Sequence, residues 1–279
     1  MNRIHSAVAM ASLALSCQIA QAVESTPLVI EAGVPTDIPG QGPIRDLQIN
    51  ARFDDGGQLK GVTDVLAGQV SALSPGSLVA SPDGLDEALA VDMPFQRIDA
   101  LMPEGGSPLS APLQRISFAG GFRMTLPATL PNGKASGLTT GGTVSITGLT
   151  VDFAQQAIYG DITGANGVGT VSQTWLWTYG RAEGSRNLTI PPCPLTPSSP
   201  CATPSIEMRL SDLYWSSTAE SLVGQSLGLT PMGLLQMANG FGSITISSVP
   251  ESSTMALTFT GLMGLGALFT AGTRRRQPR

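Results

Sequence analysis

The sequence predicts a mainly β fold: an antiparallel β-sandwich or jelly-roll-like domain with one or two short helices, set between two terminal segments of different character. Period-two alternation of apolar and polar residues recurs in seven or more short runs, as half-buried antiparallel strands require. Thirty-three Gly and 21 Pro supply turn formers between those runs, and charged residues make up only 13% against 42% hydrophobic. That balance is unlike a disordered acidic chain and matches a β-rich exported domain.

The first segment begins Met1-Asn2-Arg3, continues as an apolar run from Ala7 to Ile19, and ends Ala20-Gln21-Ala22. A basic start, a short apolar stretch and a small-x-small ending are the parts of a secretory signal peptide, so residues 1–22 are expected to be removed between Ala22 and Val23. Leu15-Ser16-Cys17 is similar to a lipidation site. Ala14, however, stands where such sites carry a bulky aliphatic residue, and Ala20-Gln21-Ala22 is the better cleavage point.

The body is residues 23–248. Leu47, Ile49, Ala51 and Phe53 alternate with Gln48, Asn50 and Arg52, and Asp54-Asp55-Gly56-Gly57 follows, predicting a hairpin near 45–66. Pro and Gly between 67 and 112 predict loops or an irregular flap, and Asp83 to Val91 lacks alternation. Strands are expected over Ile116–Leu126, and a second hairpin over 148–164 turns around Gln155-Gln156. Val171 to Tyr179 alternates next, which puts Trp175, Trp177 and Tyr179 on one face.

Cys193 and Cys201 are the cysteines left once the leader is removed. In a chain sent to an oxidising compartment they read as a disulfide closing a Pro-rich loop. Ile206, Met208 and Leu210, then Leu213 and Trp215, and finally Ile244 and Ile246, predict two more strands. Between them, 218–239 has near-helical spacing interrupted at Thr230-Pro231, predicting two short helices, the second capped by Thr230 with Pro231 at its first position.

The last segment is residues 249–279. Val249-Pro250-Glu251 precedes Thr254 to Thr273, a run of 20 residues without a charge, and Arg274, Arg275 and Arg276 follow at once. At about 1.5 Å per residue such a helix spans about 30 Å, one hydrocarbon core. The arginines keep its end in the cytoplasm and the body outside, the topology the leader also demands.

The order of Val-Pro-Glu motif, apolar helix and basic cluster resembles the PEP-CTERM sorting signal. Ser252 replaces the second proline of the usual Pro-Glu-Pro. The resemblance covers about 30 residues. It implies processing by exosortase, a membrane-embedded cysteine transpeptidase-like enzyme, in bacteria that make exopolysaccharide. It also implies a transient inner-membrane anchor before release to the cell surface or biofilm matrix. The competing reading is a single-span anchor that is never cut.

Five of the 15 basic residues lie in the two end segments, leaving 10 against 19 acidic residues over 24–249, a difference of −9. Such a surface repels phosphate backbones and excludes nucleic acid as the main partner. The sole histidine, His5, is in the leader, so histidine-based nucleophilic and metal chemistry is not expected in the mature chain, and no cofactor is implied.

Asp152, Asp161, Glu183, Glu207 and Asp212 remain for a glycoside hydrolase, which needs two carboxylates across a cleft, though their spacing singles out no pair. Asp54-Asp55 and Asp83-Gly84-Leu85-Asp86-Glu87 lack the alternating oxygen ligands of an EF-hand loop, and calcium is left open. Trp175, Trp177 and Tyr179 have two readings, a stacking platform for sugars or an inner sheet face where large aromatics bury. The expected function is a non-enzymatic structural, adhesive or carbohydrate-binding module. The alternative is a polysaccharide-acting hydrolase.

Overall fold

In the computed structural model, residues 25–38, 42–44, 47–54, 68–80, 89–103, 110–191, 203–237 and 242–248 are described. The cleavage pair Ala22 and Val23, the proposed disulfide Cys193–Cys201, Val249-Pro250-Glu251, the apolar run Thr254–Thr273 and the basic Arg274-Arg275-Arg276 lie outside them. So do Asp55 and Asp83 to Glu87. No helix among the described residues is long and apolar enough to cross a membrane.

Eight antiparallel strands form a closed ring. In ring order these are β8 (Ser110–Phe118), β7 (Leu89–Pro103), β4 (Ile49–Asp54), β15 (Ser243–Ser248), β14 (Glu207–Trp215), β12 (Gly169–Gly184), β11 (Ala157–Gly164) and β10 (Gly142–Asp152). The ring closes where Thr150, Val151 and Asp152 of β10 face Ser117, Ile116 and Arg115 of β8. Across that seam Ser117 Oγ and Thr150 Oγ1 are 3.0 Å apart. The mainly β class is as expected, but the expected sandwich is corrected to a barrel. Alternation reports that one face of each strand is buried; it does not report whether the first and last strands meet.

The remaining strands decorate this ring. β1 (Ser25–Glu31) and β6 (Ser77–Ala80) pair with β7, β13 (Asn187–Thr189) pairs with β8, and β9 (Gly121–Leu126) pairs with both β10 and β5 (Gln69–Leu73). Short strands β2 (Thr36–Ile38) and β3 (Gly42–Ile44) form a separate ladder.

The described part of the stretch between 67 and 112 is strand rather than flap: it holds β5, β6, β7 and the start of β8. In β7 Val91, Met93 and Phe95 are buried in alternation, after which Ile98 and Ala100 take over in the opposite phase. The register shift against β8 between Phe95 and Arg97 causes that slip, and it hides a long strand from a period-two reading.

The expected hairpin near 148–164 is present, with Asp152 opposite Ala157. Both helices are also present as α1 (Ser217–Ser226) and α2 (Pro231–Met237). Ser216 caps α1 by accepting the Ala219 N–H at 3.1 Å, and Thr230 Oγ1 accepts the Gly233 N–H at 3.3 Å. α1 lies against the ends of β10, β11 and β12, where Asn166 Nδ2 donates to the carbonyls of Gly141, Gln225 and Ser226 at 3.0–3.2 Å. A Cβ at Gly164 would stand 1.8 Å from Ser226 Oγ, so this docking needs glycine there.

Side chains fill the barrel. Phe53 stacks between Phe122 and Trp177 with centroids 5.2 and 5.5 Å away, and Trp215 lies 4.7 Å from Trp177. These rings belong to one apolar core that extends from β1 to β15.

Candidate functional site

β12 carries the predicted aromatic stripe, and its register decides where each ring goes. Ile158 pairs with Trp177 while the next residue, Tyr159, pairs with Trp175, so β12 has one residue more than β11 between these pairs. The bulge turns both Leu176 and Trp177 inward. Gly160 makes room for this, because a Cβ there would meet Leu176 Cδ1 at 2.8 Å and Leu149 Cδ2 at 3.0 Å.

The stripe therefore splits. Trp177 is 0% and Tyr179 2% exposed, whereas Trp175 is 47% exposed on the outer surface. The one-face expectation for Trp175, Trp177 and Tyr179 fails because strict alternation does not survive a bulge. Trp177 and Tyr179 belong to the inner face. Burial raises the Tyr179 phenol above its ordinary range, with Arg186 opposing that and Asp152 adding to it.

On the outside, Trp175 gains neighbours that sequence reasoning missed. Tyr159 is its half-buried cross-strand partner, and Thr178 lies on the same outer surface opposite Tyr214, which is 57% exposed. The Trp175 indole N–H donates to the Trp177 carbonyl at 3.1 Å, satisfying the ring's one polar atom. The Ser216 hydroxyl donates to the Trp175 carbonyl, tying this strand to the cap of α1, and the Tyr159 hydroxyl donates to Gln155 Oε1. The result is a set of outward aromatic rings, with Trp175 and Tyr159 held by hydrogen bonds, beside the polar groups of Thr178 and Gln155.

The five candidate carboxylates fall into separate roles. Asp152 accepts the backbone N–H groups of Ala154 and Gln155 at 3.0 and 2.9 Å and Arg115 Nε at 2.8 Å, closing the β10–β11 turn. Burial pushes its pKa up, but the Gln155 N–H, the Arg115 guanidinium and the Ala154 N–H outweigh it and hold the carboxyl below the usual range. Asp161 accepts the Gln173 N–H at 2.8 Å, where Gln173 has a φ of 51°. Asp212 lies 3.3 Å from Arg181 Nε.

Glu183 and Glu207 share a concavity. They line an open groove of about 660 Å³ with Arg209, Asn187, Ser205 and Ser248, over a floor that includes buried Ile206 and Met208. Both glutamates are solvent exposed. A smaller hollow of about 140 Å³ lies between Ile30, Ile44, Leu47 and Phe95.

Asp54 is buried, and among the described residues no three His, Cys, Asp or Glu side chains group closely enough to hold a metal ion. Arg52 instead forms a two-pronged pair with Asp92, at 2.7 and 2.9 Å, on the outer face of β4 and β7.

No family model and no curated protein matches the chain. Among solved structures it is similar to the C-terminal domain of HtaA from Corynebacterium glutamicum, with 10% sequence identity and a TM-score of 0.34, over 73% of this chain and 98% of that one.

Proposed function

We propose that this chain is an exported protein, held transiently in the inner membrane by its C-terminal segment and sorted by exosortase to the cell surface or extracellular matrix. There its barrel acts as a non-enzymatic module that associates with exopolysaccharide. The observation that carries this reading is the position of β15. It is bonded to β14 on one side and β4 on the other, and it ends at Ser248, directly before Val249-Pro250-Glu251. The last described stave of the barrel ends where the proposed sorting motif begins, so removal of 249–279 takes none of the described strands with it.

Cell fractionation tests it. In cells with exosortase the protein accumulates outside the inner membrane, and in cells lacking the enzyme it stays with the membrane. Equal release from both would overturn the sorting reading.

A second reading, a polysaccharide hydrolase, is favoured by one observation, the shared groove of Glu183 and Glu207. Against it stands the exposure of both side chains, since a general acid is tuned by a desolvating pocket. Reducing-end release that Glu183→Gln and Glu207→Gln abolish would establish the hydrolase and displace the binding module.

A further inference from the structure

Two surfaces could meet a polymer, the groove at Glu207 and the outer aromatic face at Trp175, and the strand register sets them at different ends of the barrel. β15 runs from Ser243, opposite Ser211, to Ser247, opposite Glu207. Its exit at Ser248 is therefore at the groove end, and Ser248 itself lines the groove. β14 runs the other way, and the seven steps from Glu207 to Tyr214 carry it about 23 Å from that exit.

We infer that the outer face formed by Trp175, Tyr159 and Tyr214 binds a neutral polysaccharide by stacking pyranose rings on its aromatic rings, an inference that rests on the exopolysaccharide reading above. A pyranose offers an apolar C–H face and a rim of hydroxyls. It needs an aromatic ring held still beside donors and acceptors. Trp175 meets the first need, because its indole N–H is already bonded to the Trp177 carbonyl at 3.1 Å and its backbone is tied to Ser216. Thr178 and Gln155 supply the second. The net charge of −9 over 24–249 selects against polymers bearing uronate or phosphate.

The test uses the full chain in detergent micelles, with microcrystalline cellulose and an insoluble β-1,3-glucan as neutral probes and alginate as the anionic one. The expected result is retention by a neutral polymer and not by alginate. Trp175→Ala and Tyr214→Ala each weaken retention about tenfold, Trp175→Phe restores most of it, and Glu207→Gln leaves it unchanged. Bound soluble oligosaccharide also protects Trp175 fluorescence from acrylamide, a signal that a merely structural role would not produce.

Neutral-polymer binding that survives both alanine variants but is lost in Glu207→Gln or Arg209→Ala would move the ligand to the groove. That result overturns this inference and leaves the exopolysaccharide reading intact. Retention by alginate alone would overturn the neutral-ligand assignment, and retention by no polymer would remove the binding reading itself.

Discussion

The indole N–H of Trp175 donates to the backbone carbonyl of Trp177 at 3.1 Å, although the two rings lie on opposite sides of the barrel wall. One bulge in β12 produces both facts: a core ring stacked on Phe53, and a surface ring whose polar atom is already satisfied.

That division predicts unequal stability effects. Trp177→Ala removes a ring in contact with both Phe53 and Trp215 and should cost about 3–5 kcal/mol. Trp175→Ala loses one hydrogen bond and partial burial, about 1 kcal/mol. Urea unfolding followed by circular dichroism measures both, and equal losses would contradict the inside-outside assignment.

Closure of the barrel depends on the seam between Ser117 and Thr150, whose hydroxyl oxygens are 3.0 Å apart. A Ser117→Cys/Thr150→Cys variant should form a crosslink on mild oxidation, because directly opposed strand residues bring their Cβ atoms within disulfide range. Thiol titration and mass spectrometry of the peptides detect it. Free thiols after oxidation would mean an open sheet.

The parts of the fold that were legible in the sequence are local ones. The hairpin around 152–157 and the helix started by Thr230-Pro231 follow from turn and capping chemistry within a few residues. What stayed hidden depends on distant partners. β7 changes phase at a register shift against β8, and the ring closes by only three residue pairs between β10 and β8. The candidate site was half legible for the same reason. Trp175 was singled out, but Tyr159 and Tyr214 join it only through pairing, and the bulge sends Trp177 and Tyr179 inward. One signal in β14 hints at such slips: Leu210 and Leu213, both buried, are three residues apart around Asp212, whose φ is 56°.

Asp152 makes a pH prediction. Its pKa is lowered in the folded protein, so its contribution is fully present above the unfolded aspartate value of about 3.9 and is lost as pH falls through the folded value. The stability gap between wild type and Asp152→Ala should be constant near neutrality, about 1–2 kcal/mol, and should narrow below about pH 4. Denaturation midpoints across that range decide it, and a gap that widens toward acid would reverse the assigned shift.

The docking of α1 should fail when Gly164 gains a side chain. Gly164→Ala puts a Cβ 1.8 Å from Ser226 Oγ and should cost about 1–3 kcal/mol. Adding Ser226→Gly removes the clash and should recover part of the loss. Hydrogen exchange at the amides of 217–226 reports whether the helix has loosened, and unchanged protection in Gly164→Ala would refute the close fit.

In the proposed function the segment after Ser248 is an address, removed once it has been read. Mass spectrometry of both termini of the released protein, from cells with and without exosortase, tests it most directly. The account predicts a mature N-terminus at Val23, loss of Arg274-Arg275-Arg276 only where exosortase is present, and a barrel intact through Ser248. Released protein that keeps the arginine tail in exosortase-bearing cells would contradict it.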